Sequence, residues 1–253
     1  MASDTVNGSP NRIDIHNSEV PVLCRPCEAR HRGICGALSP GQLVELSKST
    51  LKHSFEAEKL MATNGEKLDR YANILRGVFK LSKITADGRQ QIVGLQFAPD
   101  FLGRPFSKQS DVEIQSATEV KVCSFPRAVL DNLIKESPEL EHRLHQQTLK
   151  ELDEARNWML TLGRKSAGEK VASFLYYIAI HIDPEAIEKK GSVKFEIPLS
   201  RSDIADFLGL TIETVSRHFT KLRQVGAINL VSNRTIEILD LNRLLQLTEI
   251  DRG

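Results

Sequence analysis

The chain has four cysteines, and three of them crowd into VLCRPCEARHRGICGAL. Cys24, Cys27 and Cys35 are spaced C-x2-C-x7-C, with Cys123 far downstream. Two cysteines separated by two residues can turn their sulfurs toward one metal centre. Three clustered thiolates and one remote one can hold an iron–sulfur cluster. A structural four-cysteine zinc site usually shows two C-x2-C knuckles, and the second is missing here. His31 can replace one thiolate, and four unrelated thiols are the plainest alternative. Arg25, Arg30 and Arg32 are expected to lower the thiol pKa values and ease ligation. Gly33 and Gly36 give the loop freedom to wrap Cys35. Spacing alone leaves these readings open.

A second chemistry lies in LSRSDIADFLGLTIETVSRHFTKLRQVGAI. Ile204, Ala205 and Leu208 mark the inner face of a short helix that Ser200 or Ser202 can cap. Gly209 permits a left-handed turn. Thr211 can cap a second helix with Ile212, Val215 and Phe219 inside and Gly226 at its end. Glu213, Ser216 and Arg217 then share an outer face near the N-terminus, the end that a recognition helix inserts into the major groove. Arg217 can fork onto guanine O6 and N7, Glu213 can accept from cytosine N4, and Ser216 can bond a neighbouring base. Lys221 and Arg223 suit phosphates, and Ser202, Thr211 and Thr214 complete the expected phosphate contacts. An ordinary solvated helix is the competing reading.

These groups need elements to hold them. Pro40 can open a short helix over Leu43, Val44 and Leu46. From Phe55 to Cys123, short apolar alternations broken by Gly, Asn and Asp turns suggest a β-roll or jelly roll, with Tyr71–Leu81 and Gln91–Phe97 the clearest strands. Ser137-Pro138-Glu139 starts a helix that runs to Leu162 without Gly or Pro. His145, Thr148, Leu152, Ala155, Met159 and Leu162 fall on it in heptad register, a dimer seam. Gly163–Gly168 reads as a hinge, and Val171, Phe174, Leu175 and Ile178 as an amphipathic helix. A strand at Val193–Ile197 leads into the two-helix motif. A wing follows, Ala227–Val231 and Thr235–Leu239 around Ser232-Asn233-Arg234. Asp240 caps a last helix over Leu241, Leu244 and Leu245. The expected class is α+β, in four parts: a disordered tail 1–20, a cysteine segment and β-roll domain 21–136, a dimerisation helix 137–163 and a winged helix-turn-helix 164–253.

With 253 residues, 40% hydrophobic and 26% charged, the composition is that of a soluble globular protein of about two domains. A net charge of +1 means that any electrostatic footprint for nucleic acid must be local. No apolar run suits a membrane span, and the polar N-terminus lacks a signal-peptide core, so a cytoplasmic protein is expected. There is no hydrolase elbow, phosphate loop or HExxH, and no enzyme is expected.

A β-roll, a long helix and a C-terminal winged helix-turn-helix, in that order, resemble the Crp/Fnr superfamily of bacterial transcription regulators over residues 20 to 248. LGLTIETVSRHF is similar to the Fnr recognition helix with its Glu-x-x-Ser-Arg. The cysteine set resembles that of alphaproteobacterial Fnr-type oxygen sensors. The resemblance implies that Cys24, Cys27, Cys35 and Cys123 hold an oxygen-labile 4Fe-4S cluster. It also implies an anaerobic homodimer that binds double-stranded DNA at TTGAT-N4-ATCAA-like palindromes and recruits RNA polymerase. The turn Thr85–Gln90 and the loop 183–190 are the surfaces implied for polymerase. A regulator sensing through zinc or a free thiol is the alternative. Cyclic-nucleotide relatives carry a phosphate-binding Gly-Glu and a later Arg. Here Arg104 stands in place of the Glu and no Arg precedes Cys123, so no cyclic nucleotide is expected. His218 occupies a usually apolar position of the second helix.

Overall fold

The structure, a computed structural model, describes residues 20–105, 107, 109–187, 192–232 and 234–248. Nearly all of the expected tail, the end of the loop 183–190 and Asn233 of the expected wing lie outside the described residues. In chain order the elements are α1 (Glu28–His31), α2 (Pro40–Lys48), β1 (Leu51–Phe55), β2 (Leu60–Ala62), β3 (Arg70–Arg76), β4 (Val78–Ile84), β5 (Gln90–Phe97), β6 (Phe101–Leu102), β7 (Glu113–Ser116), β8 (Val120–Pro126), α3 (Arg127–Glu136), α4 (Pro138–Arg164), α5 (Ala167–Ile182), β9 (Val193–Glu196), α6 (Arg201–Leu208), α7 (Ile212–Gln224), β10 (Ile228–Leu230), β11 (Thr235–Ile238) and α8 (Leu241–Gln246). Two compact units result. One is formed by the described residues up to Val78 with those of Ala98–Leu149, the other by Phe79–Phe97 with the described residues from Lys150 onward.

In the first unit, an antiparallel sheet of order β1-β8-β3-β6 is the platform. Its register places Lys52, Cys123, Asn73 and Phe101 side by side across four strands. Successive side chains alternate faces, so these four share one face, and their neighbours Leu51, Ser124, Ala72 and Leu102 share the other. A core of Ile34, Leu38, Leu43, Leu46, Tyr71, Phe101, Phe125, Leu130, Leu133, Leu140 and Leu144 joins the cysteine segment, α2, the sheet, α3 and the start of α4. α2 begins at a capping box, with Ser39 Oγ accepting from Gln42 N–H and Gln42 Oε1 accepting from Ser39 N–H. Ser137 accepts from Leu140 N–H at the head of α4, as its sequence predicts. The expected strand Tyr71–Leu81 is two strands, because Gly77 takes φ +90° between β3 and β4. α3 escapes sequence reading because Pro126 precedes it without a side-chain cap. The cysteine segment, expected as a loop, is α1 between 3-10 turns at Val22–Cys24 and Ile34–Ala37.

The second unit holds the β4–β5 hairpin, α5, the helix pair α6–α7, a sheet of order β10-β11-β9 and α8. Ser200 caps α6 in a box with Asp203, Gly209 ends it at φ +62°, and Thr211 caps α7. These are the expected signals. Asp203 also meets the buried Lys80 ammonium of β4 at 2.7 Å, and Gln91 Nε2 donates to Phe207 O, so the hairpin is tied to α6. Within α5, Val171, Phe174, Leu175 and Ile178 are all fully buried, as predicted. The expected hinge is short: α4 continues through Gly163, and only Lys165 and the cap Ser166 separate it from α5. Two inner positions are corrected. Ile212 is 46% exposed and Leu222 is buried in its stead, because Ile212 opens the first turn of α7, before its inner stripe begins. Leu245 is exposed while Leu241 and Leu244 are buried.

Candidate functional site

Cys123 lies in the middle of β8, opposite Lys52 on one side and Asn73 on the other. Asn73 Nδ2 donates to Cys35 Sγ at 3.1 Å. One amide therefore links the strand that flanks Cys123 to the segment that carries the other cysteines. Cys24 and Cys35 pack against the core described above. All four thiols are free and half-buried. Among the described residues, no group of three or more His, Cys, Asp or Glu meets the spacing that holds a metal ion.

The thiols feel one another. Burial pushes the Cys35 thiol far up, and the Cys123, Cys24 and Cys27 sulfurs add to the shift. Burial raises Cys123 to about 12, with Cys27 and Cys24 contributing and Lys52 and Arg70 opposing. Cys24 is raised by burial and by Cys27, against Lys52 and Arg30. The expectation that nearby arginines would lower these values is thus corrected: desolvation outweighs them, and Lys52 and Arg70 from the sheet act beside Arg30. His31 Nε2 donates to Arg25 O, which leaves Nδ1 as the nitrogen a metal could take.

As placed, the four thiols would not hold a single metal ion; their type and number are those that a larger iron–sulfur cluster takes. Four crowded thiols hold thiolate charge poorly unless a cation neutralises it, and a bound metal deprotonates its thiol ligands outright. The Asn73 amide fits too. Its Oδ1 is buried without a partner, which costs about 1–3 kcal/mol. An amide oriented with N–H toward sulfur suits an acceptor thiolate, whereas a protonated thiol would suit the reverse.

On α7, Glu213, Ser216, Arg217, Lys221 and Arg223 are exposed together, and so are Thr211 and Ser202. Thr214 is half-buried and donates its N–H to Thr211 Oγ1. Glu213's own backbone N–H and the Thr211 hydroxyl hold its carboxyl below the usual range, so it is an acceptor at neutral pH. His218 is half-buried, with its pKa lowered by burial and by Lys221 and Arg217. Arg201, which sequence reading passed over, lies 3.4 Å above the Phe219 ring with its pKa lowered to about 10 by burial, and serves packing.

Along α4, His145, Thr148, Leu152, Ala155 and Met159 are exposed and Leu162 is half-buried, while Leu140 and Leu144 are buried. Leu149 (60% exposed) and Leu160 also stand out of the surface, off the expected seam. With Leu152 and Met159 (72% exposed), Leu149 fits within about 80° of helix circumference. A strict 3.5-residue repeat misses it. The turn Thr85–Gln90 is exposed and braced by Arg89 Nε donating to Asp87 Oδ2 at 2.8 Å. Arg104 is ion-paired with Asp111. No helix among the described residues is long and apolar enough to cross a membrane.

Residues 169–247 match the Crp-like helix-turn-helix domain, and residues 52–137 match the cyclic nucleotide-binding domain. The chain is 52% identical to a probable transcriptional activator of Rhizobium leguminosarum bv. viciae, covering 92% of this chain and 96% of that one. It is 37% identical to the transcriptional activator protein FnrL of Cereibacter sphaeroides, covering 90% and 94%. The structure of FixK2 from Bradyrhizobium japonicum superposes with a TM-score of 0.70 at 27% identity, covering 79% of this chain and 98% of that one.

Proposed function

Because the chain belongs to the Crp/Fnr family of transcription regulators, whose helix-turn-helix domains bind DNA as dimers, we propose that it is a cytoplasmic, oxygen-responsive activator. In this reading Cys24, Cys27, Cys35 and Cys123 hold an oxygen-labile 4Fe-4S cluster. The anaerobic homodimer binds TTGAT-N4-ATCAA-like palindromes and recruits RNA polymerase. No cyclic nucleotide takes part, since Arg104, engaged by Asp111, stands where the phosphate-binding Glu would be. The observation that carries the reading is the Asn73 bridge, which brings the cysteine segment onto the strand row that contains Cys123.

When bound, the cluster supplies the positive charge that four thiolates need and a centre at which dioxygen reacts. The chain's own residues do the rest. The four sulfurs tie the segment 24–35 to β8. That segment reaches α4 by two routes: Arg143 Nη2 donates to Arg32 O, and Ile34 and Leu38 share a core with Leu140 and Leu144. Release of the sulfurs frees both contacts and alters the presentation of α4, a marginal helix–helix equilibrium.

The pairing face is assigned to Leu149, Leu152, Ala155 and Met159, with His145 and Thr148 at its upper end. Leu149→Glu is expected to sediment as a monomer without air, while the oxygen-treated monomers of variant and wild type melt at close temperatures, because a surface position exposed in the monomer carries little folding energy. A stable dimer of this variant would remove Leu149 from the interface.

The test of the whole reading is a visible spectrum of protein purified without air, followed by operator titration before and after exposure to oxygen. A brown protein with a broad band at roughly 400–420 nm, as iron–sulfur thiolate sites show, and DNA affinity lost in air are expected. A colourless protein containing zinc, or binding indifferent to air, defeats it.

A further inference from the structure

Asn is disfavoured in a central strand, where β-branched and aromatic residues pack better. Yet Asn73 stands in the middle of β3, 1% exposed, between Cys123 and Phe101 in the strand row. Its Nδ2 is 3.1 Å from Cys35 Sγ, and its Oδ1 is buried without a partner. The amide thus forgoes one hydrogen bond to aim its donor at a sulfur.

We infer that Asn73 is a positioning residue for the metal centre: its Nδ2–H donates to the Cys35 thiolate and sets how long the centre survives in air. This rests on the cluster reading above. A hydrogen bond to a ligating sulfur draws negative charge from it, and such bonds raise the reduction potential of an iron–sulfur centre. Dioxygen is the oxidant: it takes one electron from the iron–sulfur core and becomes superoxide, while the proton stays on Asn73 Nδ2. A higher potential makes that electron harder to remove. The same amide fixes the distance between the cysteine segment and β8, so it also orients the Cys35 sulfur. Partners of this kind commonly change metal-site performance by about 10- to 100-fold. A tuned lifetime is a useful property in a sensor, because it sets the oxygen exposure at which the regulator switches off.

The experiment compares wild type with Asn73→Leu, which keeps the branched four-atom shape at a larger volume and removes the donor. Both are purified without air, assayed for iron and sulfide, and mixed with air-saturated buffer while the visible band is followed. The band of the variant is expected to decay about tenfold faster from equal initial content, and its reduction potential to fall. A purely structural Asn73 would change the melting temperature of the metal-free protein without changing the decay of the loaded one. Equal decay rates at equal content overturn the proposal. If Asn73→Leu does not fold or load, the wild type decides: exchange into D2O should shift an Fe–S stretching band in the resonance Raman spectrum, and no shift overturns the proposal. A wild type that is colourless without air defeats the cluster reading first, and this inference with it. A brown wild type with no dependence on Asn73 defeats this inference alone.

Discussion

Cys123→Ser is expected to give a folded, colourless protein whose DNA affinity without air equals that of oxygen-treated wild type. Serine is close to cysteine in size, and Cys123 is only half-buried on β8, so the strand should keep its pairs with β1 and β3. What changes is the charge that the site can offer. A serine hydroxyl stays protonated where burial already raises even the thiol to about 12, and iron loses the thiolate it prefers. The three remaining sulfurs all lie on one segment of the chain, so none of them can supply a ligand from the sheet. Iron and sulfide should therefore fall to on the order of a tenth of wild type or less. Cys24→Ser, Cys27→Ser and Cys35→Ser should follow. Full iron and sulfide in Cys123→Ser would sink the four-cysteine assignment. His31 would then be the ligand to test, through Nδ1, since its Nε2 donates to Arg25 O.

What sequence made legible follows from the range of the forces involved. Caps and turns are local chemistry, and Ser137, Ser200, Gly209, Thr211 and Asp240 act where their residue types predict. The inner faces of α5 and α6 follow from apolar spacing for the same reason. What stayed hidden is set by contacts far apart in the chain. Nothing in the local sequence says that Asn73 reaches Cys35, that Lys80 meets Asp203, or that Lys52 and Arg70 lie nearer in effect to the thiols than Arg25 does. Burial decides the thiol pKa values, and burial is a tertiary property. On α4 the choice of a 3.5-residue repeat hid Leu149. A straight helix drifts away from that repeat, so the exposed apolar face widens beyond the seam.

Arg217→Ala is expected to flatten base discrimination, and Lys221→Ala to leave it intact. Arg217 and Glu213 are one turn apart on the exposed face of α7, with Ser216 between them. A G·C pair offers an acceptor pair to the arginine and an amino donor to the glutamate, and the glutamate is held ionised at the helix start. Removing Arg217 should cost about 1–3 kcal/mol per half-site. A dimer reading two half-sites then loses about 2–6 kcal/mol, roughly 30-fold to 10⁴-fold in Kd. The loss should be largest on the preferred operator and should shrink on operators already substituted at the G·C pair. Arg201 cannot take over, because its guanidinium is held on the Phe219 ring. Lys221→Ala should weaken all sequences about equally and lower the salt slope by about one per half-site. Two-fold symmetry sets the half-sites about one helical turn apart, roughly 34 Å, so inserting about five base pairs puts them on opposite faces and should abolish tight binding. The measurement is a titration of anaerobic dimer on wild-type and singly substituted operators at two salt concentrations. If Arg217→Ala lost affinity uniformly, with its preference at the G·C pair unchanged, Arg217 would be a phosphate clamp and α7 would read its site through other residues.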